Sequence, residues 1–149
     1  VLEGSLEARG RRFGVICARW NPTVTEALLA SALETLGRRG ARARDITVVR
    51  VPGAFELSAA SRMLLESVRP HALVVLGAIV RGETTHHDVL AHAVSGALAQ
   101  LSAERGVAIG FGLLTCDTMD QARARTGKGA EAAEAAIELA NLRRALRRS

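Results

Sequence analysis

Nine consecutive residues, Ala72–Val80 (ALVVLGAIV), carry no polar side chain. A strand this apolar has no face to give to water. It belongs inside a parallel sheet covered by helices on both sides, and parallel neighbours in such a sheet need helical crossovers between them. The chain supplies both parts. Phe13–Ala18 (FGVICA), Ile46–Val51 (ITVVRV) and Val107–Thr115 (VAIGFGLLT) are further short apolar runs bounded by Gly, Pro and polar residues. Between them lie segments with helical periodicity. Val24–Leu36 places Ala27, Leu28, Leu29, Ala32, Leu33 and Leu36 on one face, with Asn21-Pro22-Thr23 as its start and Gly37-Arg38-Arg39-Gly40 as its stop. Thr23 with Glu26 forms a candidate capping box. Phe55–Ser67 and His87–Arg105 read as the next two helices. Asp117 or Thr118 caps a short helix to about Arg125, Gly127-Lys128-Gly129 interrupts, and Ala130–Leu146 is the last helix.

The order β-α-β-α-β-α-β-α-α predicts one α/β domain over residues 13–149, preceded by a polar edge segment, 1–12. With 149 residues the chain is long enough to bury a core of its own. Its charge of +5 comes from arginines scattered in ones and twos, and only four aromatic residues are present: Phe13, Trp20, Phe55 and Phe111. That leaves no stacking platform for single-stranded nucleic acid, so no nucleic-acid role is expected. No apolar run approaches the roughly 18 residues of a membrane span, and the first residues lack the charged-then-apolar pattern of a secretion signal. Cys17 and Cys116 sit in strand-like runs and read as reduced core residues, as in a cytoplasmic protein.

In open parallel sheets, ligands bind beyond the carboxyl ends of the strands. Those ends here carry Arg19-Trp20-Asn21, Pro52-Gly53-Ala54-Phe55-Glu56, Arg81-Gly82-Glu83-Thr84-Thr85-His86 and Thr115-Cys116-Asp117. The third segment combines a Gly exit, two hydroxyls and a helix start. This suits an anion, with His86 at the rim for proton transfer; a plain glycine turn with a Thr cap and a solvated His explains it equally. Trp20 either stacks on a planar ring or covers the core edge. Glu56 either complements a helix dipole or accepts hydrogen bonds from a polyol. Phe111, mid-strand, defaults to core packing. Arg125 and Lys128 are dipole partners or phosphate ligands. His86, His87, Asp88 and His92 have partial metal-ligand spacing, but neither a nearby Cys nor an HExxH accompanies them, so no metal is expected.

Together, Ala18-Arg19-Trp20-Asn21, VVRVPGAFEL (Val48–Leu57), LGAIVRGETTHHD (Leu76–Asp88), FGLLTCDTMDQA (Phe111–Ala122) and KGAEAAEAAIELANL (Lys128–Leu142) closely resemble the 6,7-dimethyl-8-ribityllumazine synthase family. The resemblance implies a flavodoxin-like three-layer sandwich with a four-stranded parallel sheet and an N-terminal edge strand that pairs with a neighbouring subunit. It implies condensation of 5-amino-6-(ribitylamino)uracil with 3,4-dihydroxy-2-butanone 4-phosphate, the penultimate step of riboflavin biosynthesis, without a cofactor. It also implies self-association into pentamers or multiples of them, with riboflavin synthase a candidate partner.

Residue by residue, the resemblance assigns Trp20, beside Asn21, to stacking on the pyrimidine. Ala54, Phe55 and Glu56 go to the ribityl chain, and the backbone of Ala78, Ile79 and Val80 to the pyrimidine. Glu83 and Thr84 go to the phosphate side and His86 to proton transfer. Phe111 and Arg125 are groups lent by an adjacent subunit, and Lys128 is the family's Asn-Lys-Gly lysine. The chain departs from the family in Glu83, in His87, and in lacking about five residues between Gly127 and Lys128. A catalytically weak ring or shell scaffold is the alternative function. A nucleotide-binding flavodoxin-like module would need Gly-rich or acidic signatures that this sequence lacks.

Overall fold

The computed structural model describes residues 1–82 and 86–148. Four strands, β1 (Phe13–Ala18), β2 (Ile46–Val51), β3 (Ala72–Val80) and β4 (Ala108–Cys116), form one parallel sheet in the order β2-β1-β3-β4. Helices α1 (Pro22–Arg38), α4 (Met119–Ala124) and α5 (Lys128–Arg148) cover one face, and α2 (Leu57–Ser67) and α3 (His87–Arg105) cover the other. This is the three-layer α/β architecture expected from the sequence.

Side-chain alternation along the strands builds two cores. From β1, Phe13, Val15 and Cys17 face α1 and α5, while Ile16 and Ala18 face α2 and α3. From β3, Val74, Leu76 and Ala78 go to the first core, and Leu73, Val75 and Ile79 to the second. All nine residues of β3 are buried, which is why that run contains nothing polar.

Three strands begin and end where periodicity places them. β4 is shifted by one residue, to Ala108–Cys116, because the Val107 amide still bonds the Ser102 carbonyl and closes α3. The helix expected from Phe55 starts at Leu57 instead. A 3₁₀ turn, Ala54–Glu56, precedes it, drawn tight by the Gly53 N–H donating to Glu56 Oε1 at 2.9 Å. Helix α1 starts at Pro22 rather than Val24, and no Thr23–Glu26 box forms: Thr23 is exposed and Glu26 pairs with Arg50.

The Gly127-Lys128-Gly129 break is shorter than expected, for α5 starts at Lys128 and contains Gly129. Helices α1 and α5 approach closely there. A Cβ on Gly129 would lie 2.2 Å from the Leu28 carbonyl oxygen, so only glycine fits. Residues 1–12 form no strand within the chain. Asn141 Nδ2 on α5 donates to the Ser5 and Glu7 carbonyls, each at 2.9 Å, and the buried Ala8 donates its N–H to the Arg39 carbonyl. Among the described residues no helix is long and apolar enough to cross a membrane.

Two outcomes follow from this packing. Gly129→Ala should cost about 1–3 kcal/mol by forcing two helices apart. Gly37→Ala, near the exposed end of α1 with nothing within 4 Å of the new Cβ, should stabilise by about 0.5–1 kcal/mol. Denaturant midpoints at unchanged slope check both. Burial, followed by the Glu26 charge, pushes the Cys17 thiol up to about 11. The folded state therefore holds this proton after the unfolded chain, whose thiol ionises at about 8.5, has released it. The stability due to Cys17 is complete below the unfolded value and is lost as pH rises toward about 11. Unfolding titrations should show a shallower alkaline decline in Cys17→Ala than in the parent chain.

Candidate functional site

The connections leave β1 in opposite senses. The chain goes through α1 to β2 on one side, then crosses back through α2 to β3 on the other, with α1 and α2 on opposite faces of the sheet. A crevice opens where such a reversal occurs. Register shows how. The β1–β3 pairing stops at Cys17↔Leu76, whereas β1 stays with β2 to Ala18↔Val51 and beyond it through Arg19 N–H to Val51 O and Trp20 N–H to Pro52 O. The chain thus peels away from β3. Residues Ala78–Val80 continue in register with β4 alone, at Leu114, Thr115 and Cys116, so their edge toward β1 has no strand beside it.

Asn21 spans the gap. It sits in the left-handed region (φ 64°), an energetically unfavourable conformation that Asn tolerates better than most residues. Its Nδ2 donates to the Ala78 carbonyl at 3.3 Å instead of capping α1. The bond ties the end of β1 to the projecting part of β3.

The resulting cleft holds about 220 Å³. Ala78, Ile79 and Val80 line one part of it. The opposite side is the Gly53–Glu56 turn, and Trp20 stands at the mouth. Trp20 and Phe55 are 61% and 70% exposed, so two of the four rings in the chain lie at the cleft rather than in the core. Glu56 is fixed through the Oε1 bond to Gly53. Leu90 of α3 closes the remaining side. Gly53 and Leu90 were not singled out from sequence. Leu90 offered only an apolar side chain next to Val89 in the first turn of α3; Gly53 had its place in the strand-end segment from Pro52 to Glu56.

His86 occupies the N-cap position of α3, exposed, and its carbonyl accepts the Leu90 N–H at 2.8 Å. It therefore lies one helical turn from the cleft lining. Glu83 and Thr84 lie outside the described residues. Gly82, at the β3 exit, has φ +91° and makes the turn that glycine was expected to make. Arg81 anchors this corner, donating to Asp117 at 2.9 Å and lying 3.8 Å from Asp88. His87 hydrogen-bonds Asp88 at 2.8 Å; that bond, followed by the Arg81 charge, holds the Asp88 carboxyl below the ordinary carboxylate range. His92 bonds the Asp88 carbonyl. Among the described residues, no three His, Cys, Asp or Glu side chains gather as a metal site would require.

Phe111, Arg125 and Lys128 do not reach this cleft. They line a separate concavity of about 520 Å³ along β4, the sheet edge. The mid-strand position of Phe111 gives core packing as the default, but the ring is 38% exposed. Arg125 ends α4, its guanidinium 3.8 Å from Cys116 Sγ. The candidate residues thus fall into two groups on different parts of the surface.

A model of the 6,7-dimethyl-8-ribityllumazine synthase family matches residues 10–144. The chain is 46% identical over 146 residues to the 6,7-dimethyl-8-ribityllumazine synthase of Desulfotalea psychrophila, covering 95% of this chain and 94% of that one. It is 46% identical over 149 residues to the Anaeromyxobacter protein of the same name, covering 97% and 91%. With the protein of that name from Nitratidesulfovibrio vulgaris it shares 41% over 143 residues, covering 93% and 92%.

The Asn21 bridge yields a direct test. Asn21→Val replaces a tolerated left-handed residue with a β-branched one and leaves the Ala78 carbonyl without this donor. It should cost about 1–3 kcal/mol, whereas Asn21→Gly should retain the turn and lose less. Chemical denaturation of both variants distinguishes them.

Proposed function

Since the chain belongs to the 6,7-dimethyl-8-ribityllumazine synthase family, its reaction is the condensation of 5-amino-6-(ribitylamino)uracil with 3,4-dihydroxy-2-butanone 4-phosphate in riboflavin biosynthesis, and we propose that the switch-point cleft binds the pyrimidine. The observation that carries this reading is that Ala78, Ile79 and Val80, which have no strand paired on their β1 side, line the cleft. Peptide N–H and C=O groups in that position can read the edge of a pyrimidine, with the Trp20 ring stacked on its face. Glu56 accepts hydroxyls of the ribityl chain through the carboxylate that Gly53 orients, with Ala54 and Phe55 beside it.

The chemistry requires an amine to add to a ketone, phosphate to leave, the ring to close and water to depart. Each step moves protons, and an imidazole is the side chain suited to do so near neutral pH. His86, at the start of α3 and one turn from Leu90, takes that role. The helix N-terminus next to it favours the phosphate; we assign Glu83 and Thr84 to the phosphate side through their backbone N–H groups, because the Glu83 carboxylate itself repels an anion. Holding two substrates in one cleft supplies much of the acceleration. The residues provide this without a metal or organic cofactor.

Phe111, Arg125 and Lys128 act on a neighbouring subunit's cleft. Their place along the β4 edge, with Phe111 and Arg125 exposed and none of the three lining the cleft of their own chain, supports this reading. Head-to-tail contacts of this kind close into rings, here a pentamer or multiples of it, with the N-terminal segment extending to a neighbour's sheet. Arg125 then offers a two-pronged contact to the phosphate. Riboflavin synthase, which would consume the product, is the partner we assign, and the cytoplasm the compartment, consistent with two buried cysteines that form no disulfide.

Mixing both substrates with the protein should produce lumazine absorbance above the spontaneous rate. His86→Ala should lower turnover by roughly 10²-fold. An unchanged rate, or a comparable loss only in His87→Ala, would refute the assignment. Trp20→Ala and Arg125→Ala proteins, each impaired alone, should recover part of the activity when dissociated and reassembled together. No recovery would mean that each site is built from a single chain.

A further inference from the structure

At the amino ends of the strands, away from the cleft, lies a concavity of about 380 Å³ lined by Arg11, His71, Arg143, Arg144 and Arg147. Three separated stretches supply it: the residues leading into β1, those leading into β3, and the last turns of α5. Among the described residues, no salt bridge involves any of these arginines, nor Arg12 or Arg148 beside them. Arg11 is held by Nε donating to Asn141 Oδ1 at 2.9 Å. The Arg12 backbone N–H donates to His71 Nδ1 at 2.8 Å, so the neutral ring carries its proton on Nε2 and is a donor there.

The crowding shows in the ionisation of the cluster. Burial, followed by the charges of Arg12, Arg11, Arg144 and Arg143, pushes His71 down. Burial, followed by Arg144 and Arg148, pushes Arg11 down, and Arg143 follows through burial and Arg147. The negative end of α5 accounts for Arg147 and Arg148 in its last turn. It does not account for Arg11, which arrives from another segment, or for the hollow the group encloses.

We propose that this concavity is a second anion site, separate from the condensation site, and that it takes a compound carrying two or more linked phosphate groups. Guanidinium forks pair with phosphate oxygens two at a time. Four such forks and an imidazole donor around a space larger than one phosphate match a compact polyphosphate better than a single anion. Binding there relieves the mutual repulsion of the arginines.

Calorimetric titration of the full chain at constant ionic strength, with inorganic phosphate, pyrophosphate and tripolyphosphate in turn, tests the proposal. Affinity should rise along that series. The Arg144→Ala/Arg147→Ala double variant, altered only at exposed positions, should lose about tenfold or more. Its lumazine formation should be unchanged. Pyrophosphate should also shift the His71 ring resonances of the unsubstituted protein, a readout that requires no variant to fold. His71 resonances that do not move on adding pyrophosphate, pyrophosphate affinity unchanged by the double substitution, or binding lost entirely in Arg125→Ala instead, would overturn the proposal. So would a poly-glutamate peptide that binds while none of the three phosphates does.

Discussion

Parallel pairing of β1 with β3, buried on both faces, governs the rest of the molecule. Neither strand can satisfy its side chains without helices on two sides, so the crossovers must divide between the faces. Because α1 goes one way and α2 the other, the connections diverge at the carboxyl end of this strand pair. The divergence separates β1 from β3 after Leu76 and leaves the last four residues of β3, Gly77–Val80, without a strand paired on that side. The cleft is therefore a consequence of how the sheet is covered, and the same apolar run that forms the core provides its wall.

The groups around that wall are each held by local chemistry. Asn21 spends its side chain on the Ala78 carbonyl, Glu56 on the Gly53 amide, and Arg81 on the two acidic residues that flank the β3 exit. These bonds orient the cleft before any ligand arrives, which reduces the ordering cost of binding. Meanwhile the second group of candidate residues, Phe111 on β4, Arg125 at the end of α4 and Lys128 at the start of α5, lines a concavity on the β4 edge. On the proposal above, a neighbouring copy covers this edge strand.

Strands were the most legible part of the sequence, because burial on both faces leaves runs with nothing polar in them. Helix starts were less legible wherever a side chain has a distant partner. Asn21 looks like a cap beside Pro22, but its amide bonds a residue more than fifty positions away. Gly129 looks like a break, yet it is needed within α5 because Leu28 approaches it. Of the site, Trp20, the Ala54–Glu56 turn and the end of β3 could be found from the rule that ligands sit beyond strand ends. The exposure of Phe111 could not be read, since alternation along a strand does not tell an edge from a centre. Leu90 reaches the cleft only through the packing of α3.

Trp20 is the only tryptophan in the chain, so its emission reports on the mouth of the cleft alone. Titrating the protein with 5-amino-6-(ribitylamino)uracil, without the second substrate, tests most directly whether this cleft holds the pyrimidine. The account predicts a saturable change in tryptophan emission, with an affinity weakened by Glu56→Gln through loss of the contact to the ribityl chain. Saturable binding seen by calorimetry with no change in Trp20 emission would contradict it.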